Sequence, residues 1–418
     1  MRKMKNSGVK WIGDIPEAWQ TKKLKFCAKF IQQKYNGVSD DNLNYIGLEN
    51  IVSWSGKYTA TSSQYDKNQS ILFRKRDILW GKLRPYLAKV YHALQDGCCS
   101  SEFCVIRINE GYDDRFFWNL LISPEFVSEI DHSTYGAKMP RANADYIKNV
   151  VIPIPPQNEQ GIIATFLDRR CAEIERVIAE TEKTIEEYKK LKHAVITQAV
   201  TKGIRPNRPM KDSGIEWVGE IPESWQVRRI KTLFRLRDER NYLPLEEVNL
   251  ISLYTDKGVV QHCDLEQTTG NKASTADGYK KVYENDIVVN IILCWMGAIG
   301  RSAYTGVTSP AYDIYVPSDE IECRFYHHYF RTKGFSGDCY KRGKGIMAMR
   351  WRTYADQFRD IPVVMPPKEE QQEILKYLDA KTVEIEKLIA KKEQFLAEME
   401  SYKKSLIFEY VTGKKEIG

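Results

Sequence analysis

The chain has 418 residues, of which 42% are hydrophobic and 28% charged, a balance typical of folded globular proteins and not of disordered chains. This length predicts two to four domains, and no apolar run reaches the roughly 18 residues that a membrane span needs. The net charge of +7 permits a polyanionic partner without requiring one. The N-terminus lacks the apolar stretch of a signal peptide and the nine cysteines form no C-x-x-C pair, so we expect a reducing, cytoplasmic location.

Two segments of the chain occur twice. Residues 4–20 (MKNSGVKWIGDIPEAWQ) and 210–226 (MKDSGIEWVGEIPESWQ) are identical at 11 of 17 positions and are displaced by 206 residues. A Pro-Pro-x-x-Glu-Gln segment at 155–160 returns at 366–371, displaced by 211. We call residues 4–20 and 210–226 the first and second box. The sequence therefore predicts two copies of one unit, and a partner with two-fold character.

Between each box and its Pro-Pro segment lies a variable stretch with mixed α and β patterns. Residues 77–80, 104–108 and 286–292 are β-branched and aromatic, which is typical of strands. Residues 116–121 and 325–330 predict helices at matching places in the two copies. The two stretches are expected to share one fold although little sequence identity survives between them.

Each unit closes with a long helix that carries a narrow apolar stripe. Steps of three, four and seven residues are coiled-coil patterning, and the same positions recur 211 residues later. We expect the two helices to pair antiparallel, with the globular domains at opposite ends; the alternative is that each helix lies on its own domain. The glycines of Val200-Thr201-Lys202-Gly203 and Val411-Thr412-Gly413-Lys414 predict the helix ends. The stripe positions are Ile163, Leu167, Ile174, Ile178, Ile185, Tyr188, Leu191 and Val195, then Ile374, Leu378, Ile385, Ile389, Leu396, Met399, Tyr402 and Leu406.

The predicted fold class is α+β, with two mixed α/β domains separated by two long antiparallel coiled-coil helices in a pseudo-two-fold repeat. The predicted boundaries are 1–155 for the first domain, 156–203 for the first helix, 204–365 for the second domain and 366–418 for the second helix.

No catalytic motif is evident in the sequence. Gly81-Lys82-Leu83-Arg84 lacks the upstream glycine and the Ser/Thr of a P-loop, and no H-E-x-x-H or G-x-S-x-G occurs. The six histidines have no metal-ligand spacing, and the adjacent His327 and His328 would point to different sides of a helix. We therefore predict no catalytic residue and no metal site, and interpret the chain as a protein that recognises and assembles.

The order of box, variable domain and Pro-Pro-x-x-Glu-Gln helix, repeated once, resembles the specificity (S) subunits of type I restriction–modification systems. The resemblance covers essentially the whole chain and implies two target-recognition domains, each reading half of a split, asymmetric site in double-stranded DNA. It also implies that the helices set the spacing and dock two methyltransferase (M) subunits for adenine-N6 methylation, and that restriction (R) subunits add DNA cleavage. This chain would bind no cofactor itself; S-adenosylmethionine, ATP and Mg²⁺ are expected on the partner subunits, and no membrane is expected among the partners.

The best candidates for DNA contact lie in the loops before the Pro-Pro segments, because Arg reads guanine and Lys meets phosphate. Trp351 in the second loop could stack on a base or pack in the core. The candidates are Tyr135, Lys138, Arg141 and Asn143 in the first domain, and Lys341, Arg342, Lys344, Arg350, Trp351 and Arg352 in the second.

A second basic group, Lys82 and Arg84, follows the run 74–76; its alternative reading is a solvated turn before a strand. The box tryptophans Trp11, Trp19, Trp217 and Trp225 could cap each domain core or dock the M subunits.

Two other functions are compatible with a coiled coil and a basic surface. One is a scaffold that binds no nucleic acid, which would show no salt-dependent DNA binding. The other is a stand-alone DNA nuclease, for which the sequence offers no carboxylate–lysine cluster.

Overall fold

A computed structural model describes residues 2–35, 43–61, 69–136, 138–262, 275–345 and 351–417. Its contacts divide the chain into two compact units: unit 1 comprises Met1–Lys183 with Glu393–Gly418, and unit 2 comprises Thr184–Lys392. Each unit therefore contains one box, one variable stretch and a piece of both long helices.

The variable stretch of unit 1 forms short strands followed by helices. Short 3₁₀ turns occupy Leu24–Phe26, Leu48–Asn50 and Pro85–Leu87. The strands are β1 (Met4–Asn6), β2 (Asp14–Pro16), β3 (Gln20–Lys23), β4 (Ala28–Ile31), β5 (Tyr45–Ile46), β6 (Ile71–Phe73), β7 (Ile78–Gly81), β8 (Val90–His92), β9 (Gly97–Cys99), β10 (Phe103–Ile108) and β11 (Val151–Ile154). The helices are α1 (Asp114–Ile122), α2 (Pro124–Asp131), α3 (Ala144–Asn149) and α4 (Gln157–Lys202).

The main sheet of unit 1 is antiparallel, in the order β4-β10-β7-β8, beside a three-stranded sheet in the order β5-β9-β6. One face of the main sheet carries Ile78, Trp80 and Ile106 into a core shared with α1 and α2, while Leu79 and Val105 face a smaller second core. This alternation is the period of two that a sheet buried on both faces requires. The predicted strands 77–80 and 104–108 and the predicted helix 116–121 are confirmed.

Unit 2 repeats this plan. Short 3₁₀ turns occupy Leu245–Glu247 and Cys294–Met296. The strands are β12 (Met210–Asp212), β13 (Glu220–Pro222), β14 (Gln226–Arg229), β15 (Phe234–Arg237), β16 (Ile251–Tyr254), β17 (Gly258–Gln261), β18 (Lys280–Val282), β19 (Ile287–Asn290), β20 (Ile299–Arg301), β21 (Gly306–Thr308), β22 (Tyr312–Pro317) and β23 (Pro362–Met365). The helices are α5 (Ile230–Leu233), α6 (Cys323–Phe330), α7 (Lys333–Arg342), α8 (Ala355–Arg359) and α9 (Lys368–Val411).

The main sheet of unit 2 has the order β15-β22-β19-β20, the same as in unit 1. The predicted strand at 286–292 is shorter than expected, because the chain leaves β19 at Asn290, whose side-chain oxygen accepts hydrogen bonds from the backbone of Ile292 and Leu293. The predicted helix at 325–330 is confirmed as part of α6. The α+β class and the shared fold of the two stretches are thus both observed.

The long helices α4 and α9 run antiparallel within each unit. In unit 1, Phe166 stacks on Tyr410 with ring centroids 4.5 Å apart, and Lys403 donates to Glu175 nine residues further along α4. In unit 2, Lys192 pairs with Glu386. Most stripe residues are buried or half-buried, but the equivalent Leu191 and Tyr402 remain 48% and 43% exposed. Ile163, Leu167 and Ile174 share a core cluster with Leu406 and with residues of the box and variable stretch, so the stripe packs against the domain as well as the other helix.

Glycine ends both helices as predicted. Gly203 and Gly413 have φ angles of 73° and 71°, the left-handed conformation that terminates a helix. The Lys202 ammonium donates hydrogen bonds to the backbone oxygens of Val218 and Glu220. The Lys414 ammonium donates to the backbone oxygens of Ile12 and Asp14. The order of Lys and Gly is reversed between the two copies, yet both ammonium groups reach equivalent carbonyls of a box.

All eight cysteines in the described ranges are buried, and none of these forms a disulfide. Burial raises the pKa of Cys104 to about 11, so this thiol stays protonated as a core residue. No helix of the described ranges is both long and apolar enough to cross a bilayer.

Candidate nucleic-acid interface

The same β-bridge closes the predicted DNA-contact loop in each unit. Tyr135 pairs with Arg141 in unit 1, and Lys344 pairs with Arg352 in unit 2. In unit 2 both backbone hydrogen bonds of the bridge form, at 2.8 and 3.0 Å. The bridge fixes the two ends of a segment whose sequence differs between the two units.

Unit 1 brings its two groups of candidate residues together. Leu83 also bridges to Arg141, the backbone of Arg84 donates to Pro140 at 2.8 Å, and that of Ala142 donates to Lys82 at 2.9 Å. The segment 82–84 therefore lies directly beside residues 140–142. The two groups are more than 50 residues apart in the sequence, and no local pattern predicts that they are adjacent.

The backbone beside this loop is held in an uncommon conformation. Arg84 has φ 52°, in the left-handed region that residues other than glycine rarely occupy. Its side chain is exposed, as are Tyr86 and Tyr135, the latter by 63%. Tyr86 was missed in the sequence because it lies in no basic run. Exposed aromatic and basic side chains on a fixed backbone can stack on bases and pair with phosphates.

Unit 2 presents three aromatic side chains in contact beside its loop, and one pair of them is stacked. The Trp351 ring stacks on the Tyr340 ring with centroids 4.9 Å apart and an interplanar angle of 22°. The Trp351 Nε1 donates to the backbone oxygen of Tyr340 at 3.1 Å. The Trp295 ring also contacts the Tyr340 ring, with centroids 5.6 Å apart and an interplanar angle of 58°. Trp351 is half-buried, so the structure holds it at the edge of the domain. Trp295 and Tyr340 were not singled out in the sequence because nothing local links them to the loop.

The remaining candidates have diverse surroundings. Arg141 pairs with Glu102 at 2.8 Å. Lys341 and Arg342, predicted in the loop, lie instead on the last turn of α7, where Lys341 pairs with Glu216 of the second box. Asn143 caps α3 by accepting from the Asp145 backbone at 2.8 Å, which gives it a structural role in addition to any contact with DNA. Lys138 and Arg342 are exposed, whereas Arg350 lies outside the described residues.

The Pro-Pro-x-x-Glu-Gln segment joins the first box to α4. Strand β11 before it pairs with β3 after the box. Glu159 accepts from the Trp19 indole at 3.0 Å and from Arg2 at 2.8 Å, and Arg2 lies over the Trp19 ring at 5.6 Å. In the second copy Arg208 pairs with Glu370 and lies 5.4 Å from the Trp225 ring. The glutamate of the first copy thus has an arginine partner 157 residues away in the sequence.

The glutamine of the motif serves the same purpose in both copies. Gln160 accepts from the backbone of Asp113 at 3.0 Å and donates to Pro155 at 3.0 Å. Gln371 accepts from Glu322 at 2.9 Å and donates to Pro366 at 2.9 Å. Each glutamine thus ties the start of a long helix to the start of α1 or α6.

The four box tryptophans are placed in two pairs. Trp19 and Trp225 are fully buried in the unit cores, while Trp11 and Trp217 are half-buried. The Trp217 indole donates to Asp338 at 2.7 Å, but the Trp11 Nε1 is enclosed with no hydrogen-bond partner within the described residues. A role in capping the cores fits Trp19 and Trp225, and a docking role for any of the four remains a prediction.

The adjacent histidines have structural surroundings. His327 accepts from the Arg301 backbone at 3.2 Å, and burial lowers the pKa of His327 to about 3 and that of His328 to about 4. Both rings are therefore neutral near pH 7. The described part of the chain contains no cluster of ligands suited to a metal ion.

Comparison with known proteins places this architecture in a family. The family model described as the type I restriction modification DNA specificity domain matches residues 4–187 and 222–394. The chain therefore belongs to the family of type I restriction–modification DNA specificity domains.

Individual relatives are distant. The chain is 25% identical over 232 residues to the type I restriction enzyme MjaVIII specificity subunit of Methanocaldococcus jannaschii, a match that covers 54% of this chain and 52% of that protein. The chain thus spans about half the length of this relative.

Two solved structures share the fold along nearly the whole chain. One comes from a study of complex assembly and conformational transition of the type I R-M system, with TM-score 0.71 and 16% identity, covering 96% of this chain and 99% of that one. The other is the HsdS subunit of Thermoanaerobacter tengcongensis, with TM-score 0.52 and 17% identity, covering 98% and 100%.

Proposed function

We propose that this protein is the DNA-specificity subunit of a type I restriction–modification complex and is not itself a catalyst. Unit 1 reads one half of a split, asymmetric site in double-stranded DNA, and unit 2 reads the other half. The observation that carries this proposal is the β-bridge at Tyr135–Arg141 and again at Lys344–Arg352. The same scaffold position presents different basic and aromatic residues, as two different half-sites require.

The readout residues of unit 1 are Lys138 and Arg141 in the loop, with Lys82 and Arg84 beside it; in unit 2 they are Lys344, Arg352 and Arg350. Arg is suited to bidentate hydrogen bonds with guanine, and Lys to phosphate. In the absence of DNA the Arg141 guanidinium pairs with the Glu102 carboxylate. When DNA binds, the guanidinium would leave this carboxylate and contact a base. Loss of one base-reading Arg is expected to cost about 1–3 kcal/mol of binding.

The repeated boxes and Pro-Pro-x-x-Glu-Gln segments serve two identical M subunits. Their architecture, with Arg2 and Arg208 over equivalent indoles, recurs in both units although the domains between them diverge. S-adenosylmethionine belongs to the M subunits, and ATP and Mg²⁺ to the R subunits. No cofactor is assigned to this chain.

The test is a genome-wide map of N6-methyladenine in the source cell with the gene intact and deleted. A split motif with a fixed gap that disappears on deletion is the expected result. An unchanged map, together with failure of the chain to co-purify with a methyltransferase subunit, would contradict the proposal and favour a scaffold role.

A further inference from the structure

Unit 2 contains a basic groove beside α4. The groove has a volume of about 1290 Å³ and lies between α4, the β16–β17 hairpin tip and the start of α7. Lysines 189, 190, 192 and 202 approach it from α4, Lys257 from the hairpin tip, and Arg331 and Lys333 from the segment around α7. Two carboxylates, Asp256 and Glu386, also line it.

Several of these cations are already engaged. Arg331 donates to the carbonyls of Thr255, Asp256 and Ile299, which fixes the hairpin tip, and Lys192 pairs with Glu386. By contrast, within the described ranges no ion pair joins Lys190, Lys257 or Lys333 to a carboxylate, and all three are exposed.

Three of the cations lie close enough to His193 to affect its pKa. Burial lowers the pKa of His193, and the charges of Lys333, Lys192 and Arg331 lower it further. His193 is therefore neutral near pH 7 and adds no charge to the groove. The cations exceed the carboxylates, so the groove has a positive potential.

In unit 1 the corresponding space is occupied. The hairpin tip carries Trp54, and Lys404 lies 4.1 Å from the centroid of its ring. Lys57 on the same tip pairs with Glu175 at 2.7 Å. At the positions of Lys189 and Lys190, 211 residues later, α9 carries Glu400 and Ser401. Unit 1 therefore lacks counterparts of Lys189 and Lys190, although Lys403 and Lys404 stand at the positions of Lys192 and His193.

We propose that this groove binds the sugar–phosphate backbone of double-stranded DNA through Lys190, Lys257 and Lys333. The inference rests on the proposed function and adds to it a contact between unit 2 and DNA that does not depend on the base sequence. A polyanion fits better than a protein partner, because protein interfaces are depleted in lysine at their centres, whereas lysines predominate here. The contact anchors unit 2 without reading bases, so the two units hold DNA unequally.

The test compares two triple variants of the full chain. K190Q/K257Q/K333Q removes the three groove lysines, and K376Q/K387Q/K391Q removes three exposed lysines of α9 outside the groove, with the same change in net charge. Binding to a fluorescein-labelled duplex of random sequence is measured by anisotropy over a series of NaCl concentrations. The slope of log K against log [NaCl] should fall by about two to three in the groove variant, since each phosphate contact contributes about 0.9, and should hardly change in the control.

Three results would overturn the inference. They are equal slopes for wild type and groove variant, an equal loss in both variants, or unchanged DNA binding with loss of co-purification with a methyltransferase subunit, which would assign the groove to a protein. In each of these the wild type still binds DNA and the proposed function stands. If the wild type itself shows no salt-dependent binding, the proposed function fails together with the inference.

Discussion

Glu159 connects the start of α4 to the first box. Its carboxylate accepts from the buried Trp19 indole and from Arg2. Glu159→Ala should lower the free energy of unfolding of unit 1 by about 1–3 kcal/mol, because a buried donor loses its acceptor. Glu159→Gln, which retains an acceptor, should lose less. The measurement is urea denaturation followed by tryptophan fluorescence.

The second copy provides the control for Glu159. Glu370 pairs with Arg208, but the Trp225 Nε1 has no hydrogen-bond partner within the described residues. Glu370→Ala abandons no indole, but the ion pair that it removes is more buried than that of Arg2 with Glu159. Replacement by Gln should therefore recover more of the Ala loss at Glu159, where an acceptor is restored to the Trp19 indole, than at Glu370. Equal recovery at both positions would show that the Trp19 hydrogen bond contributes nothing measurable.

Asp114 makes the stability of unit 1 dependent on pH. Burial alone would raise the pKa of Asp114, but hydrogen bonds from His92 at 2.6 Å and from Arg76 outweigh it and hold the pKa below its ordinary value. A lowered folded-state pKa stabilises the fold above the pKa of the unfolded carboxyl, about 4, and this contribution is lost as pH falls. Asp114→Asn should cost about 1–3 kcal/mol near pH 7.

The difference between Asp114→Asn and wild type should narrow on acidification below about pH 4, because there the carboxyl of the unfolded chain takes up a proton while the folded one stays ionised, which favours the unfolded state of the wild type only. Thermal midpoints measured across this range check the sign. A difference that stays constant from neutral to acidic pH would mean that the ionised form of Asp114 contributes no stability.

Residues that belong to a local sequence pattern could be identified from the sequence. Residues whose role depends on a partner far away in the chain could not. The box tryptophans were found because the box repeats, and two of them are core residues. The partnership of Arg2 with Glu159, or of Tyr340 with Trp351, could not be predicted, because no local pattern connects such positions.

At the scale of elements, the end of α9 is confined by the first box. Gly413 has φ 71°, and a Cβ there would lie 2.5 Å from Pro16 and 3.0 Å from Trp19. Gly413→Ala combines backbone strain with a steric clash against a rigid ring and a buried indole. Gly8 has the same φ but an added Cβ would meet nothing within 4 Å, so Gly8→Ala isolates the strain alone.

Gly8→Ala should destabilise unit 1 by about 1 kcal/mol, the ordinary cost of a left-handed non-glycine residue, and Gly413→Ala by at least about 2 kcal/mol. Calorimetry of both variants checks the order. If the two variants are equally stable, the box must be able to move away from the helix end at no cost.

The long helices and the central strands were predictable because their periodic patterns reflect burial over many residues. The bridge between Tyr135 and Arg141 was not, since it joins two polar, non-periodic residues across a loop. The exposure of Leu191 and Tyr402 within the stripe was also not predictable, because periodicity identifies a face without telling what covers each position.

At the scale of the whole molecule, the sequence repeat correctly predicted two units with one fold, but not how the helices are shared. Contacts assign the first part of α4 and the last part of α9 to unit 1, and the remainder of both helices to unit 2. Along the sequence the order is domain, helix, domain, helix, whereas each compact unit contains segments of both helices. Antiparallel pairing of the stripes accounts for this exchange.

Division of the protein into two readout units predicts that their specificities can be altered separately. Lys138→Ala with Arg141→Ala changes the loop of unit 1 and leaves every residue of unit 2 intact; Lys344→Ala with Arg352→Ala does the reverse. In cells that carry either variant, the methylation map should show degeneracy or loss at one half of the split motif, with the other half and the gap unchanged. Because Arg141 also pairs with Glu102, Glu102→Ala serves as a control for local structure. If either double variant alters both halves together, the units do not read DNA independently.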